Sequence, residues 1–275
     1  SSGTVTTQSG LTFASGPLAS DVNSLAYTCA LDGGSSSTCT PLTGLTAGTH
    51  SLVYSATDLA GNSASSTLSW TVLGPPSVAL QTGSNSGATT DTITNVTSPY
   101  ITVSNLIPGA NVTVTATNGS ETVTCTLLAG APSTPGSSSS EGECALPGLT
   151  SDGAWTISAV QSFGGGTSTS SIPLTMTLDT QAPVMGAGSS SISAISGGIA
   201  VANGAGTDQN SITFTLPSTE AGATRTCTLD GTSVSCPAGA ITGLANGAHT
   251  LQVIDTDVAG NSTTSSFTWA VVGVP

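Results

Sequence analysis

The sequence TDLAGNSASSTLSW occupies residues 57–70, and a near-copy, TDVAGNSTTSSFTW, occupies residues 256–269. Asp, Gly and Asn favour tight turns, so DLAGN and DVAGN each predict a turn. Polar and apolar residues alternate after the turn, which is typical of a β-strand, and each strand ends at a tryptophan. A structural unit is duplicated within one chain more often than an active site is. The repetition therefore predicts a repeated β-domain, with Trp70 and Trp269 in its core.

The similarity extends upstream of this stretch. YTCALDGGSSSTC at residues 27–39 matches RTCTLDGTSVSC at residues 225–236. TGLTAGTHSLVYSATD at residues 43–58 matches TGLANGAHTLQVIDTD at residues 242–257. The same segments in the same order indicate an array of related domains.

A degenerate third copy lies between these two. It contains VTCTLLAG from Val123 and PGLTSDGAWTISAV from Pro147, while SFGGGTS stands in place of the DxAGN turn. Trp155 takes the place of His50 and His249, and we expect Trp155 to be a core residue of its domain.

Other segments also carry the two-residue period of β-strands, among them ITVSNL, NVTVTAT, SITFTL, HTLQVID and SFTWAVV. Gly, Pro, Asn and Asp separate these segments, and no segment has a convincing helical period. The sequence therefore predicts an all-β chain of three tandem β-sandwiches. The expected domains are residues 1–74, residues 75–181 with a Ser/Pro-rich insertion, and residues 182–275.

The six cysteines fall two to each copy: Cys29 and Cys39, Cys125 and Cys144, Cys227 and Cys236. A zinc site would need CxxC pairs or nearby histidines, and these spacings supply neither. An even count at repeated spacing favours one local disulfide per domain, and hence an oxidising, extracellular location.

The pattern C-x-L-D-G-…-C-…-G-L-…-G-x-H-x-L-…-D-x-A-G-N-…-W resembles the bacterial Ig-like repeats of extracellular surface proteins. Copies one and three carry the pattern in full, and the middle copy carries the cysteines with the PGL and DGAW segments. The resemblance implies three immunoglobulin-like sandwiches. It says little about function, because such modules serve as stalks, adhesins and fibre subunits.

Charged residues make up only 5% of the chain, against about 25% in ordinary globular domains. The only basic residue among Lys and Arg is Arg225, and the net charge is −13. Such a chain has no basic patch for nucleic acid or anionic lipid. No apolar run approaches the roughly 20 residues that span a bilayer, so we expect no membrane insertion.

No enzyme motif is present: GxSxG, HExxH and the Walker A loop are all missing. We therefore expect no catalysis, no cofactor and no metal. Asp58, Asp255 and Asp257 lie at the expected inter-domain ends, where extracellular sandwiches can bind Ca²⁺. Without a DxDxDG loop, a role in turns is favoured over Ca²⁺ binding. His50 and His249 are interpreted as structural.

Four Asn-x-Ser/Thr sequons make the chain a candidate glycoprotein: Asn95, Asn111, Asn118 and Asn261. Sequons arise often by chance in a Ser/Thr-rich sequence, so the sequence leaves their occupancy open.

The first copy begins late. LTFASG at Leu11 aligns with ITFTLP at Ile212, and only ten residues, SSGTVTTQSG, precede Leu11. A sandwich without its first strand exposes an edge that a strand of a neighbouring subunit can fill. The candidate donor strand is Thr4, Val5, Thr6 and Thr7. The alternatives are that the first copy simply starts late, or that its short tail folds back on itself.

Together these features favour a structural subunit of an extracellular bacterial surface filament or stalk. Head-to-tail polymerisation by donor-strand complementation would make the chain its own partner. The main alternative is an adhesin or carbohydrate-binding stalk fragment of a larger secreted protein, whose partner would be a glycan or a host-cell surface. An adhesin would need an exposed aromatic platform, for which the sequence offers Trp155 and Tyr100. A third hypothesis is that the chain is an accessory module of a secreted hydrolase.

Overall fold

A computed structural model describes residues 3–12, 25–130, 141–185 and 192–273 of the chain. Most of the predicted Ser/Pro-rich insertion, at residues 131–140, lies outside the described residues. Apart from one 3-10 turn at Thr82–Ser84, every regular element that the structure describes is a β-strand. The all-β prediction is confirmed, and the strands form tandem Ig-like sandwiches.

The first sandwich consists mainly of one five-stranded sheet with the strand order β1-β5-β4-β2-β3. Its strands are β1 (Thr4–Thr6), β2 (Ala26–Leu31), β3 (Ser37–Thr38), β4 (Gly48–Thr57) and β5 (Ser63–Val72). Opposite this sheet, the described residues contribute an isolated bridge between Leu11 and Leu42.

The second sandwich has two sheets, with the strand orders β10-β9-β12-β14-β7 and β11-β8-β6, and β13 pairs with β12. Its strands are β6 (Ser77–Leu80), β7 (Ile93–Thr94), β8 (Tyr100–Ser104), β9 (Asn111–Thr117), β10 (Thr122–Leu128), β11 (Gly142–Ala145), β12 (Gly153–Phe163), β13 (Gly166–Thr167) and β14 (Leu174–Leu178).

The third sandwich also has two sheets, with the strand orders β17-β23-β22-β19-β20 and β16-β15-β18-β21. Its strands are β15 (Ser193–Ser196), β16 (Ile199–Val201), β17 (Gly206–Thr207), β18 (Ser211–Thr215), β19 (Thr224–Leu229), β20 (Thr232–Val234), β21 (Ala240–Thr242), β22 (Gly247–Thr256) and β23 (Ser262–Val271).

All three sandwiches share one plan for the larger sheet. The last strand lies between a long neighbour, which is antiparallel to it in the first and third sandwiches, and a very short strand that runs parallel to it at the sheet edge. We call this pair of last strand and short parallel strand the edge pair. The three edge pairs are β1/β5, β7/β14 and β17/β23, and each one joins a short strand from the first half of a sandwich to its last strand.

The shared plan corrects the alignment of the middle copy. The strand next to the long central strand is β2 in the first sandwich, β9 in the second and β19 in the third. Cys29 and Cys227 lie on that strand, whereas Cys125 lies on β10, one strand further out. The NVTVTAT segment on β9 therefore takes the place that the sequence comparison assigned to VTCTLLAG, and VTCTLLAG on β10 corresponds to the short outer strands β3 and β20.

Each sandwich carries the local disulfide that was predicted: Cys29–Cys39, Cys125–Cys144 and Cys227–Cys236. The first and third bonds each close a hairpin that has the sequence LDG at its turn. The middle bond joins β10 of one sheet to β11 of the other, so it fastens the two layers of the sandwich together.

The cores differ in size. The third sandwich buries thirteen apolar residues in one cluster, including Phe214, Phe267 and Trp269. The corresponding cluster in the described part of the first sandwich has four: Cys29, Leu52, Trp70 and Val72. Trp155 is fully buried in the second sandwich. In the part of the first sandwich that the structure describes, the small cluster accompanies a second layer that is represented by the bridge between Leu11 and Leu42.

The chain divides into two compact units rather than three. The first unit comprises residues 1–81, 98–150 and 154–176, and the second comprises residues 82–97, 151–153 and 177–275. One end of the second sandwich is thus built into the same unit as the third sandwich. The domain boundaries that the sequence predicts, after residues 74 and 181, stay a prediction.

Candidate functional site

The histidines of the repeat motif hold a hairpin to a strand. His50 Nδ1 lies 2.8 Å from Asp32 Oδ2, and its Nε2 lies 2.9 Å from the carbonyl oxygen of Thr46. Asp32 Oδ1 accepts a hydrogen bond from the amide of Ser51, also at 2.8 Å. Asp32 has a φ of 49°, as the Asp-Gly turn of a hairpin requires. The LDG and GxH parts of the motif are therefore two halves of one structural contact.

The third sandwich repeats this contact with the same atoms. His249 Nδ1 lies 2.7 Å from Asp230 Oδ2, and Nε2 lies 2.9 Å from the carbonyl oxygen of Ala245. Each imidazole also packs against the tryptophan of the last strand, at 5.7 Å for His50–Trp70 and 5.4 Å for His249–Trp269 between ring centroids.

Both nitrogens of each imidazole face oxygens that can only accept hydrogen bonds, so the protonated ring satisfies both contacts. The backbone carbonyl of Thr46, followed by the carboxylate of Asp32, raises the pKa of His50. The carbonyl of Ala245 and the carboxylate of Asp230 raise the pKa of His249 in the same way. These histidines are thus committed to structure and are poorly placed to exchange protons with a substrate.

The aspartates that we considered for Ca²⁺ are engaged in other contacts. Asp255 is fully buried and forms a two-pronged ion pair with Arg225, with both N–O distances at 2.7 Å. Asp58 and Asp257 each accept hydrogen bonds from an asparagine four residues later. Within the described ranges, no three His, Cys, Asp or Glu side chains converge as a metal site.

Within each of the two units, neighbouring sandwiches meet through hydrogen-bonded groups. In the first unit, Gln161 of the second sandwich is fully buried and holds the connecting segment. Its Nε2 donates to the carbonyls of Gly74, at 2.8 Å, and Asn105, at 3.0 Å, while its Oε1 accepts from the amide of Ile107 at 2.8 Å. Every polar group of this side chain is used, so the segment after the first sandwich is fixed to the second.

The predicted donor strand contributes to the same contact. Thr4–Thr6 forms β1 and pairs in parallel with β5 of its own chain, so the tail folds back on its own sheet. Val5 packs over the turn at residues 163–166, where a Cβ on Gly164 would lie 2.5 Å from Val5 Cγ2. The glycines of SFGGGTS thus leave room for the valine.

The second unit contains a contact of the same kind. The DVAGN turn at residues 257–261 lies against the segment around β7: the hydroxyl of Ser86 donates to the carbonyl of Ala259. Asn95 Nδ2 donates to Asn261 Oδ1 at 3.1 Å, and Asn261 Nδ2 donates to the carbonyl of Asp179 at 2.8 Å. Ala259 is fully buried.

Gly87 permits this close approach. Its φ is +66°, and a Cβ there would overlap the carbonyl oxygen of Val258. A Cβ on Gly260, at the other side of the contact, would lie 3.0 Å from the amide nitrogen of Gly87. Two glycines thus bring the two backbones together.

Two of the four candidate glycosylation sites lie in this contact. The amide nitrogens of Asn95 and Asn261, which would carry the sugar, donate the hydrogen bonds described above. Asn111 is exposed, so a sugar could be accommodated there in the folded chain, whereas Asn118 is half-buried and its Oδ1 accepts hydrogen bonds from the amides of Ser120 and Glu121. Glycosylation at these two positions stays a prediction.

Sequence reasoning missed the residues of these contacts. Gln161, Ser86 and Gly87 belong to no motif, and Asn95 was singled out only as a sequon. The one available signal was the pairing of a repeated turn, DxAGN, with a glycine-rich replacement, SFGGGTS, at the same place in the middle copy.

Comparison with known protein families gives one match, which covers the middle sandwich. A family of bacterial Ig-like domains matches residues 71–180. The matched range is less than half of the chain and excludes the copies that carry the full repeat motif. No curated protein sequence matches the chain. Among the described residues, no helix has the length and apolar character needed to cross a membrane.

Several solved structures of tandem β-domains are distantly similar. Fibronectin(III)-like modules of CbhA from Clostridium thermocellum share 16% identity over 71% of this chain and 94% of theirs, with a TM-score of 0.36. A structure from a 1.5-MDa bacterial ice-binding adhesin shares 14% identity over 92% of this chain and 88% of its own, with a TM-score of 0.37. At these values neither likeness indicates what this chain does.

The histidine contacts predict a pH dependence of stability. A raised histidine pKa in the folded state contributes stability below about pH 6.5, which is lost as the pH rises through the folded-state value. Hydrogen bonds, first from His50 and then from the Ser51 amide, lower the pKa of Asp32, so its contribution is lost only below about pH 4. Thermal unfolding should therefore show a higher Tm at pH 5.5 than at pH 8.5.

The matched variant replaces both histidines, His50→Gln and His249→Gln. It should lose stability at pH 5.5 and show a smaller difference between the two pH values. An unchanged difference in this variant would contradict the assignment. The second sandwich, which has Trp155 at this place, serves as an internal control when peptides from β9 and β12 are followed by hydrogen exchange.

The glycine contact predicts that Gly87→Ala opens the surface around the DVAGN turn. Gly243→Ala is the matched control, because Gly243 has a similar φ, +72°, with nothing within 4 Å of an added Cβ. Both variants incur the cost of a left-handed residue, about 1 kcal/mol, but only the first creates an overlap. Hydrogen exchange of residues 84–97 should speed up in Gly87→Ala alone; equal effects in both variants would contradict the prediction.

Proposed function

We propose that this chain is a structural, non-catalytic segment of an extracellular bacterial surface protein, either a stalk or a filament subunit. The tandem Ig-like sandwiches, the three disulfides and the match to a bacterial Ig-like family support this location and this class. The observation that carries the proposal is that neighbouring sandwiches meet through buried, hydrogen-bonded groups, with Gln161 and Ala259 fully buried.

Such contacts suit a part that transmits force or sets a distance. A flexible linker leaves neighbouring domains free to rotate, whereas a connection held by Gln161 resists rotation because bending would leave its buried amide unsatisfied. Pro75, Pro76 and Pro183 restrict the backbone of the connecting segments further. Since few groups titrate or are screened by salt, the Ser/Thr/Gly surface keeps its properties in variable surroundings.

Donor-strand complementation is the specific form of filament assembly that we propose. Because residues 4–6 already pair with β5 of their own chain, assembly would be a strand swap. The tail would leave its own β5 and take the same parallel place beside β5 of the next copy.

An adhesin or carbohydrate-binding stalk fragment is the alternative function. A sugar-binding platform needs an exposed aromatic ring, and the burial of Trp155 removes one of the two candidates. Tyr100, the other candidate, is 48% exposed. Glycan binding that is lost in Tyr100→Ala would favour this alternative over a purely structural role.

The donor-strand form predicts that removal of residues 1–10 abolishes filaments. Negative-stain electron microscopy of the full chain should show filaments, and the shortened chain should show separate particles. Filaments that persist without the tail would rule out the tail as the donor strand.

The control variant is Val5→Ala, because removal of the tail also removes the packing of Val5 over residues 163–166. Val5→Ala keeps the backbone groups that a swapped strand needs, so filaments should survive in it. If Val5→Ala alone abolishes filaments, the valine contact rather than the strand is responsible. Single particles of the full chain under all conditions would favour the stalk over the filament subunit.

A further inference from the structure

Two structural features recur once in each sandwich. One is the turn after the long central strand, at residues 58–62, 163–166 and 257–261. The other is the edge pair: β1/β5, β7/β14 and β17/β23. Each contact between neighbouring sandwiches joins one turn to the region of the preceding edge pair. Among the described residues, these two contacts use two of the three turns and two of the three edge pairs, which leaves the turn at residues 58–62 and the edge pair β17/β23.

The unused turn has the same internal structure as the docked one. The amide of Asn62 donates to Asp58 Oδ1 at 2.8 Å, and Asn62 Nδ2 donates to Asp58 Oδ2 at 2.8 Å. The equivalent distances between Asn261 and Asp257 are both 2.9 Å. The unused turn is therefore already in its docking conformation and would lose little entropy on binding.

The two turns differ in what covers them. Leu59 is 80% exposed, whereas the equivalent Val258 is 39% exposed. Ala60 is also exposed, whereas Ala259 is fully buried. The unused turn thus presents an exposed leucine on a support that the Asp58–Asn62 hydrogen bonds hold in place.

The unused edge pair matches the backbone of the docked one. The amide of Val272 donates to the carbonyl of Thr207 at 2.9 Å, as the amide of Asp179 does to the carbonyl of Thr94. Val272 is 56% exposed, and Gly206 beside it is exposed as well. This edge therefore offers an exposed apolar side chain at Val272 and exposed backbone at Gly206.

We propose that the turn at residues 58–62 of one molecule docks on the β17/β23 edge of a second copy of this chain. Leu59 would pack against Val272 of the second copy. The second hydrogen of Asn62 Nδ2 would donate to the carbonyl of Val272, as Asn261 Nδ2 donates to the carbonyl of Asp179. This inference rests on the proposed function, because it names the partner and the contact by which a structural segment is extended.

One residue makes this contact weaker than the internal one. Asp208, which follows β17, stands where Asn95 follows β7, and a carboxylate cannot donate to Asn62 Oδ1 as Asn95 Nδ2 does to Asn261 Oδ1. Asp208→Asn restores the donor. One added neutral hydrogen bond should tighten association about fivefold.

Sedimentation velocity of the full chain, at concentrations up to about 1 mM, tests the proposal. The wild-type chain should associate reversibly, Asp208→Asn should associate more tightly, and Ala60→Arg should weaken association at least tenfold. Ser36→Arg is the matched control, because it adds the same charge at another exposed position of the first sandwich. Equal association of Ala60→Arg and Ser36→Arg, or a wild-type chain that stays monomeric at every concentration, would overturn the proposal.

A photo-crosslinking residue in place of Leu59 locates the contact. The crosslinked peptide of the second molecule should contain residues 203–209 or Val272, and crosslinks confined to other regions would overturn the proposal. If molecules associate through another surface, this inference fails while the filament function stands. If they remain single and the Gly87 and Gly243 variants exchange as predicted, this inference fails while the stalk function stands.

Discussion

The short parallel strand at the edge of each larger sheet is the constraint on which the rest of the structure depends. It covers the outer edge of the last strand with only two or three residues, so the edge is closed but the strand ends remain accessible. After the first two edge pairs, the next residues contact the following sandwich, as Gly74 contacts Gln161 and Asp179 contacts Asn261. Closing an edge and receiving a neighbour are thus done by the same few residues.

Neutral hydrogen bonds replace charge in these contacts. The groups that meet between sandwiches are amides, hydroxyls and carbonyls, such as those of Gln161, Ser86 and Asn95. Neutral pairs cost less to desolvate than ion pairs, and salt does not screen them. A chain with 5% charged residues can therefore still build specific contacts, provided that glycine lets the backbones approach closely.

Local patterns predicted the fold well and the contacts poorly. The two-residue period, the turn residues and the paired cysteines are properties of short segments, and they led to the β-sandwiches and the disulfides. The alignment of VTCTLLAG with YTCALDGG was wrong. The two segments are similar around a cysteine, but they lie on strands at different positions in the sheet order. Gln161 could not be recognised, because its role depends on the carbonyls of Gly74 and Asn105, which only the folded chain brings together.

The ion pair between Arg225 and Asp255 has a consequence for the survival of the chain outside the cell. Proteases of the trypsin type cleave after lysine or arginine, whose side chain must extend into a pocket of the enzyme. Arg225 is the only such residue in the sequence, and its guanidinium is held by the buried carboxylate of Asp255 and by the carbonyl of Pro217. The folded chain therefore offers trypsin-type proteases no accessible cleavage site.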